Sequence, residues 1–156
     1  MDINNIIGAT ILAVEGCAPK STDITFSTTK GDLRLYFDKD YWGRCNVHVS
    51  VEDMTGDPAD LIGGVVSVAE ERSSKREWEG KDTEWTFYTI RTTKGDLDLR
   101  WYGHSNGHYS TSVNTEWEER VEESEEDREY REYMENLDRE LREKFEQEFA
   151  RRYGKK

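Results

Sequence analysis

The chain has 156 residues, 34% of them hydrophobic and 36% charged, and a formal net charge of -12. That length fits one domain plus an appendage. The acidic excess disfavours nonspecific contact with phosphate backbones or anionic membrane, and no apolar run approaches the ~18 residues of a membrane span.

Charge is unevenly spread. Sixteen of the 34 acids and ten of the 22 bases lie from Glu116 onward, whereas most Val, Ile, Leu and Phe lie before it. The front can build a core; the tail cannot build one alone. Met1-Asp2 opens without the basic n-region of a leader, so a cytoplasmic protein is expected. Cys17 and Cys45 share no close metal spacing and read as two free thiols.

The first apolar run, "IIGATILAVEG" from Ile6, matches "LIGGVVSVAEE" from Leu61. After each comes the segment TTKGDL, at Thr28 and at Thr92, then a Gly-containing loop and a last alternating strand. This reads as an internal duplication, with repeats of about 6–51 and 61–121 inside a β domain of 1–122. Each TTKGDL segment predicts a hairpin with Lys-Gly as its loop, or as the rival loop a type I turn with a left-handed Gly bulge. Phe26 then faces Leu35 and Ile24 faces Phe37. In the second repeat Ile90 faces Leu99 and Tyr88 faces Trp101. Asp57 and Pro58 predict one short helical turn between the repeats. "EERSSKREWEGKD" from Glu70 reads as a polar loop or a long hairpin tip. Asn106-Gly107 predicts a second hairpin, giving a meander of strands near 85–93, 96–104 and 108–121. The fold expected is mainly β (α+β): about eight antiparallel strands, as a curled sheet or small barrel.

The tail, 124–156, reads as one charged amphipathic helix capped by Ser124 and stopped by Gly154. Tyr130, Tyr133, Met134, Leu137, Leu141, Phe145, Phe149 and Tyr153 form a narrow apolar stripe. Pairs such as Glu135→Arg139 and Glu140→Lys144 would lace its charged side. The stripe needs a partner: its own sheet, or another subunit in a homo-oligomer built through this helix.

The two hairpins differ on their outer faces. The first carries Thr25, Ser27, Arg34 and Tyr36. The second carries Trp85, Phe87, Arg91, Asp98, Arg100, Tyr102, His104, Tyr109 and Thr111. Arg91 would pair with Asp98 across the strands, Trp85 would face His104, and Phe87 would face Tyr102. Trp85, Phe87, Arg100, Tyr102, His104 and Tyr109 are therefore the candidate binding residues, able to stack a planar group while Arg100 meets an anion. The competing reading lays the C-terminal helix over this face as a second small core.

No catalytic residue is assigned. HExxH, P-loop and GxSxG patterns are absent from the sequence, and His104 and His108 flank a turn that sends them to different faces. No metal and no cofactor are expected. An acidic nucleic-acid mimic is the weaker reading of the tail, because its acids are interspersed with bases.

"VSVEDMTGDPADLIGGVVSVAEE" and "EWTFYTIRTTKGDLDLRWYGHSNGHYSTSV" resemble a domain-of-unknown-function family found mainly in bacteriophages and prophages. Its pattern runs "GD..DLIG", "AEE", "WTFY", "RW.G.SNG.YS", over about Val47 to Val113. This chain has Arg44-Cys45-Asn46 where the family has a Cys-Cys-Glu run, so that run's role does not carry over. The resemblance implies a phage-encoded protein in the host cytoplasm and no established activity. The function expected is a non-enzymatic interaction protein acting on a host protein through the aromatic face of the second repeat or through the acidic helix, with counter-defence among its roles. A nucleotide-like small-molecule binder is the alternative. Neither direct nucleic-acid binding nor membrane association is expected.

Overall fold

Alternation over Asp23–Thr28 and Gly31–Tyr36 puts Ile24, Phe26, Leu33 and Leu35 on one face, and all four are fully buried. The computed structural model describes residues 2–38, 47–107 and 110–154. They fall into two compact units, Met1–Arg120 and Val121–Lys156.

The first unit holds eight strands: β1 (Ile11–Glu15), β2 (Asp23–Thr28), β3 (Gly31–Tyr36), β4 (His48–Thr55), β5 (Val66–Trp78), β6 (Lys81–Thr92), β7 (Asp96–Ser105) and β8 (Asn114–Glu119). Short 3-10 turns, Asp2–Ile6 and Pro58–Leu61, precede β1 and β5. Asp57 caps the second, its carboxylate accepting the Ala59 N–H at 2.9 Å, with Pro58 at the first position as expected.

The strands form two antiparallel four-stranded sheets, ordered β1-β2-β3-β8 and β4-β7-β6-β5, and no closed barrel. One apolar cluster joins their inner faces. Ile11, Phe26 and Leu35 come from the first sheet, Val51, Ile90, Leu99 and Trp101 from the second. Full burial of such side chains contributes roughly 1.5–3 kcal/mol each. The polar stretch after Glu70 is the long-hairpin alternative. β5 and β6 pair as far as Trp78 and Lys81, and Glu79 (φ 48°) and Gly80 (φ 73°) close a two-residue turn.

Two expectations about strand pairing are corrected. The first concerns hairpin register. Phe26 faces Leu33 and Ile24 faces Leu35; Ile90 faces Leu97 and Tyr88 faces Leu99. The slip is two residues, so every side chain keeps its face. Its cause is a threonine hydroxyl. Thr28 Oγ1 accepts the N–H groups of Lys30 and Gly31, each at 3.2 Å, and donates to the Gly31 carbonyl at 2.7 Å. Thr92 repeats this with Lys94 and Gly95. The loops are thus Thr29-Lys30 and Thr93-Lys94, and neither Gly31 nor Gly95 has positive φ. Glycine is needed for close approach instead. A Cβ at Gly31 would overlap the Glu118 carbonyl and the Trp117 ring.

The second correction concerns the last strand of each half. The sequence reading keeps each inside its own repeat, with a β6-β7-β8 meander. In the structure β4 pairs with β7, and β8 pairs with β3. Gly107 (φ 91°) does turn the chain after β7. Past that turn, the Thr111 and Ser112 hydroxyls donate to the Glu84 carboxylate, at 2.9 and 3.1 Å. The Thr111 carbonyl lies against Gly103, where a Cβ would collide with it. This anchoring carries the chain off β7 and across to β3.

The halves match in detail. Both β1 and β5 bulge at the same place, between Ile11 and Ala13 and between Val66 and Val68. Thr29 and Thr93 hydroxyls accept the N–H groups of Thr10 and Val65, which bridge each other. Gly8 donates to Val66 at 2.8 Å, and Gly63 donates to Ile11 at 2.8 Å.

In the second unit, α1 (Glu125–Tyr153) is a rod of about 44 Å at 1.5 Å per residue. Ser124 accepts the Asp127 N–H at 3.1 Å, and the chain leaves the helix at Gly154. The ion pairs differ from those expected. Arg131 takes Glu123 and Glu135, and Arg142 takes Asp138, while Arg139 turns to Asn136. Arg131 holds the Glu123 carboxyl below its ordinary range. No helix among the described residues is long and apolar enough to cross a membrane.

The buried threonine turn yields a direct test. Thr28→Val keeps the shape but strips two N–H groups of their acceptor. It should destabilise the fold by about 1–3 kcal/mol in urea unfolding.

Candidate functional site

Period-two alternation places Trp85, Phe87, Thr89 and Arg91 of β6, and Asp98, Arg100, Tyr102 and His104 of β7, on the outer face of the second sheet. Register decides which of them meet. Trp85 faces Tyr102, with ring centroids 4.6 Å apart, and not His104, which faces Thr83. Phe87 faces Arg100, not Tyr102. Asp98 faces Thr89, whose hydroxyl donates to it at 3.0 Å. Arg91 reaches Asp98 diagonally at 3.1 Å, so the expected ion pair forms without the expected opposition. Asp98 holds the Arg91 guanidinium above its ordinary range. Tyr109, His108 and Arg44-Cys45-Asn46 lie outside the described residues.

β4 supplies what the sequence reading missed. Its register with β7 shifts between Val51 and Asp53, and this bulge sets Asp53 opposite Arg100. Arg100 Nη2 meets Asp53 Oδ2 at 2.5 Å, and its guanidinium carbon lies 5.0 Å from the Trp85 ring centroid. His48 comes opposite His104, with ring centroids 5.7 Å apart, and His104 lies 5.9 Å from Tyr102. The acidic "ED" of "VSVEDM" was the available signal. Strand alternation alone points Asp53 inward, and only the bulge reverses it.

The result is an aromatic row, Trp85-Tyr102-His104-His48, flanked by Phe87 and by two arginine–carboxylate pairs. Trp85 and Tyr102 are half-buried; Phe87, Arg100, His48 and His104 are exposed. A shallow depression of about 260 Å³ lies among Asp53, Arg72, Phe87, Asp98 and Arg100. Among the described residues no three His, Cys, Asp or Glu side chains converge on a metal position.

Burial holds two groups in their neutral form, Tyr88 of β6 and Cys17 between β1 and β2. Tyr88 Oη is buried with no hydrogen-bond partner among the described residues. Burial first, and then the neighbouring Glu71 and Glu84 carboxylates, push its phenol far above the ordinary range. Burial also pushes the Cys17 thiol up to about 11.

The chain belongs to the family described as Domain of unknown function (DUF7448), whose model matches residues 4–115. Comparison with curated proteins and comparison with solved structures return no match. The matched stretch includes the whole aromatic row and Asp53, and it stops before α1.

These environments predict contrasting responses. Arg100→Ala should change stability by less than about 1 kcal/mol, because the pair with Asp53 is solvent-exposed. Glu84→Ala removes a buried acceptor of two hydroxyls and should cost about 2 kcal/mol in the same unfolding assay. Cys17, in a Cys45→Ser background at pH 8, should react with Ellman's reagent more than about tenfold slower than in denaturant. Its reactivity should rise as pH approaches 11.

Proposed function

We propose that this chain is a non-enzymatic binding protein that grips a protein partner with the outer face of its second sheet. The observation that carries the reading is Arg100, fixed between Asp53 and the Trp85 ring at one end of a solvent-facing aromatic row. Aromatic rings and arginines dominate the energetics of protein interfaces, and a side chain already held in place loses little entropy on binding. The face is broad and shallow, which suits a protein surface better than an engulfed small molecule.

A nucleotide-like ligand is the competing reading, and it would require Arg100 to leave Asp53. The acidic mimic gains no support from α1, where carboxylates are partly neutralised by Arg131, Arg142 and Arg152.

The sequence resemblance adds an origin to this reading. The chain is phage-encoded and works in the host cytoplasm, so its partner is a host protein, with defence components as candidates. The matched bulges and turn hydrogen bonds support an internal duplication. On that reading the second copy acquired a binding face and the first kept a plain one.

The test compares two faces of one domain. Affinity capture from infected cells with the intact chain should enrich a partner. Tyr102→Ala should reduce its recovery at least about tenfold, whereas Tyr36→Ala on the first sheet should leave it unchanged. Equal loss with both variants, or a nucleotide-induced rise in melting temperature abolished by Arg100→Ala, contradicts the proposal.

A further inference from the structure

β5 is an edge strand of unusual length. It runs from Val66 to Trp78, and every residue from Arg72 onward is exposed. Its inner neighbour is β6. On the other side, backbone hydrogen bonds from the Gly8–Ala9 segment reach only Val66. Among the described residues, no backbone bond from any element but β6 meets 67–78. A free edge of this length is a template for another strand.

The order of charges along it indicates which strand. The stretch reads Glu70-Glu71-Arg72-Ser73-Ser74-Lys75-Arg76. Antiparallel pairing with a second copy about Ser73 sets Glu70 against Arg76 and Glu71 against Lys75. Symmetry makes each of those ion pairs twice. Arg72 meets Ser74, and Val68 meets Trp78, an indole left 75% exposed in the single chain. Centring on Ser74 instead opposes Arg72 to Arg76 and Glu71 to Glu77. Centring between Ser73 and Ser74 would oppose side chains of opposite sheet faces, which a two-fold pairing of one strand with its copy does not allow. Like charges directly opposite are destabilising, so the register about Ser73 is selected over that about Ser74.

The residues are available for this. Glu70, Arg72 and Arg76 make no ion pair among the described residues, and Lys75 makes only long ones, 3.8 Å to Glu77 and to Asp82. We infer that β5 pairs with β5 of a second copy of this chain, joining two β4-β7-β6-β5 sheets edge to edge. The two-fold contact is isologous and closed, so it ends at a dimer. The outer faces of both sheets then lie on one continuous surface.

The test is the oligomeric state of the full chain by sedimentation across concentration. Wild type should shift from monomer to dimer as concentration rises. Glu71→Lys places Lys opposite Lys75 twice and should weaken the dimer at least about tenfold. Combining it with Lys75→Glu should restore association. Ser73→Cys, in a Cys17→Ser/Cys45→Ser background, should form an intermolecular disulfide on mild oxidation, whereas Glu77→Cys should not, because it would face Ala69. A monomer at every concentration overturns the inference. So does a dimer that is indifferent to Glu71→Lys but abolished by Phe145→Glu, which would assign association to the helix stripe.

Discussion

β3 and β7 each finish a hairpin with one edge of backbone N–H and C=O groups unpaired, and each takes its partner from the other half of the chain. β8 completes the first sheet and β4 the second. Buried backbone groups left without partners would cost more than most side-chain contacts return. This exchange therefore ties the two halves of the chain into both sheets, alongside the apolar cluster between them. It also fixes the route of 110–113 over Gly103, and it places Glu84 where two hydroxyls can satisfy a buried carboxylate.

The candidate site inherits that constraint. Arg100 would have no carboxylate opposite it if β8 lay beside β7, and His104 would not meet His48. The first sheet offers an internal comparison. There Arg34 lies 4.1 Å from the Tyr36 ring centroid and pairs with Asp23 at 2.6 Å and Glu116 at 3.5 Å. The ingredients are similar: one arginine, one ring and nearby carboxylates. The second sheet differs by setting Trp85 and Phe87 beside its arginine and continuing through Tyr102 to His104 and His48, which turns a self-satisfied surface cluster into a broad aromatic face.

Much of this could be read from the residues. The buried face of each hairpin followed from alternation, and it survived a two-residue slip because the side-chain period is two. The slip itself came from Thr28 and Thr92, whose hydroxyls close the turn one residue before Lys-Gly could. Turn propensity counts loop residues and is blind to a side-chain cap outside them. Trp85, Phe87, Arg100, Tyr102 and His104 were legible as one face. Asp53 was not, because a bulge reverses the alternation that assigns it. Nor was the exchange of β4 and β8 legible. Periodicity tells which way a strand's side chains point, not whose edge the strand joins, and Asn106-Gly107 signalled a true turn that leads away from its expected partner.

The pairing of β4 with β7 is the claim on which both the fold and the site stand. Cross-strand nuclear Overhauser effects between backbone protons measure it directly. Contacts between Ser50 and Tyr102, and between Val49 and Gly103, are predicted. Their absence, with contacts from Tyr102 to Thr111 in their place, would restore a β7–β8 hairpin and remove Asp53 from Arg100.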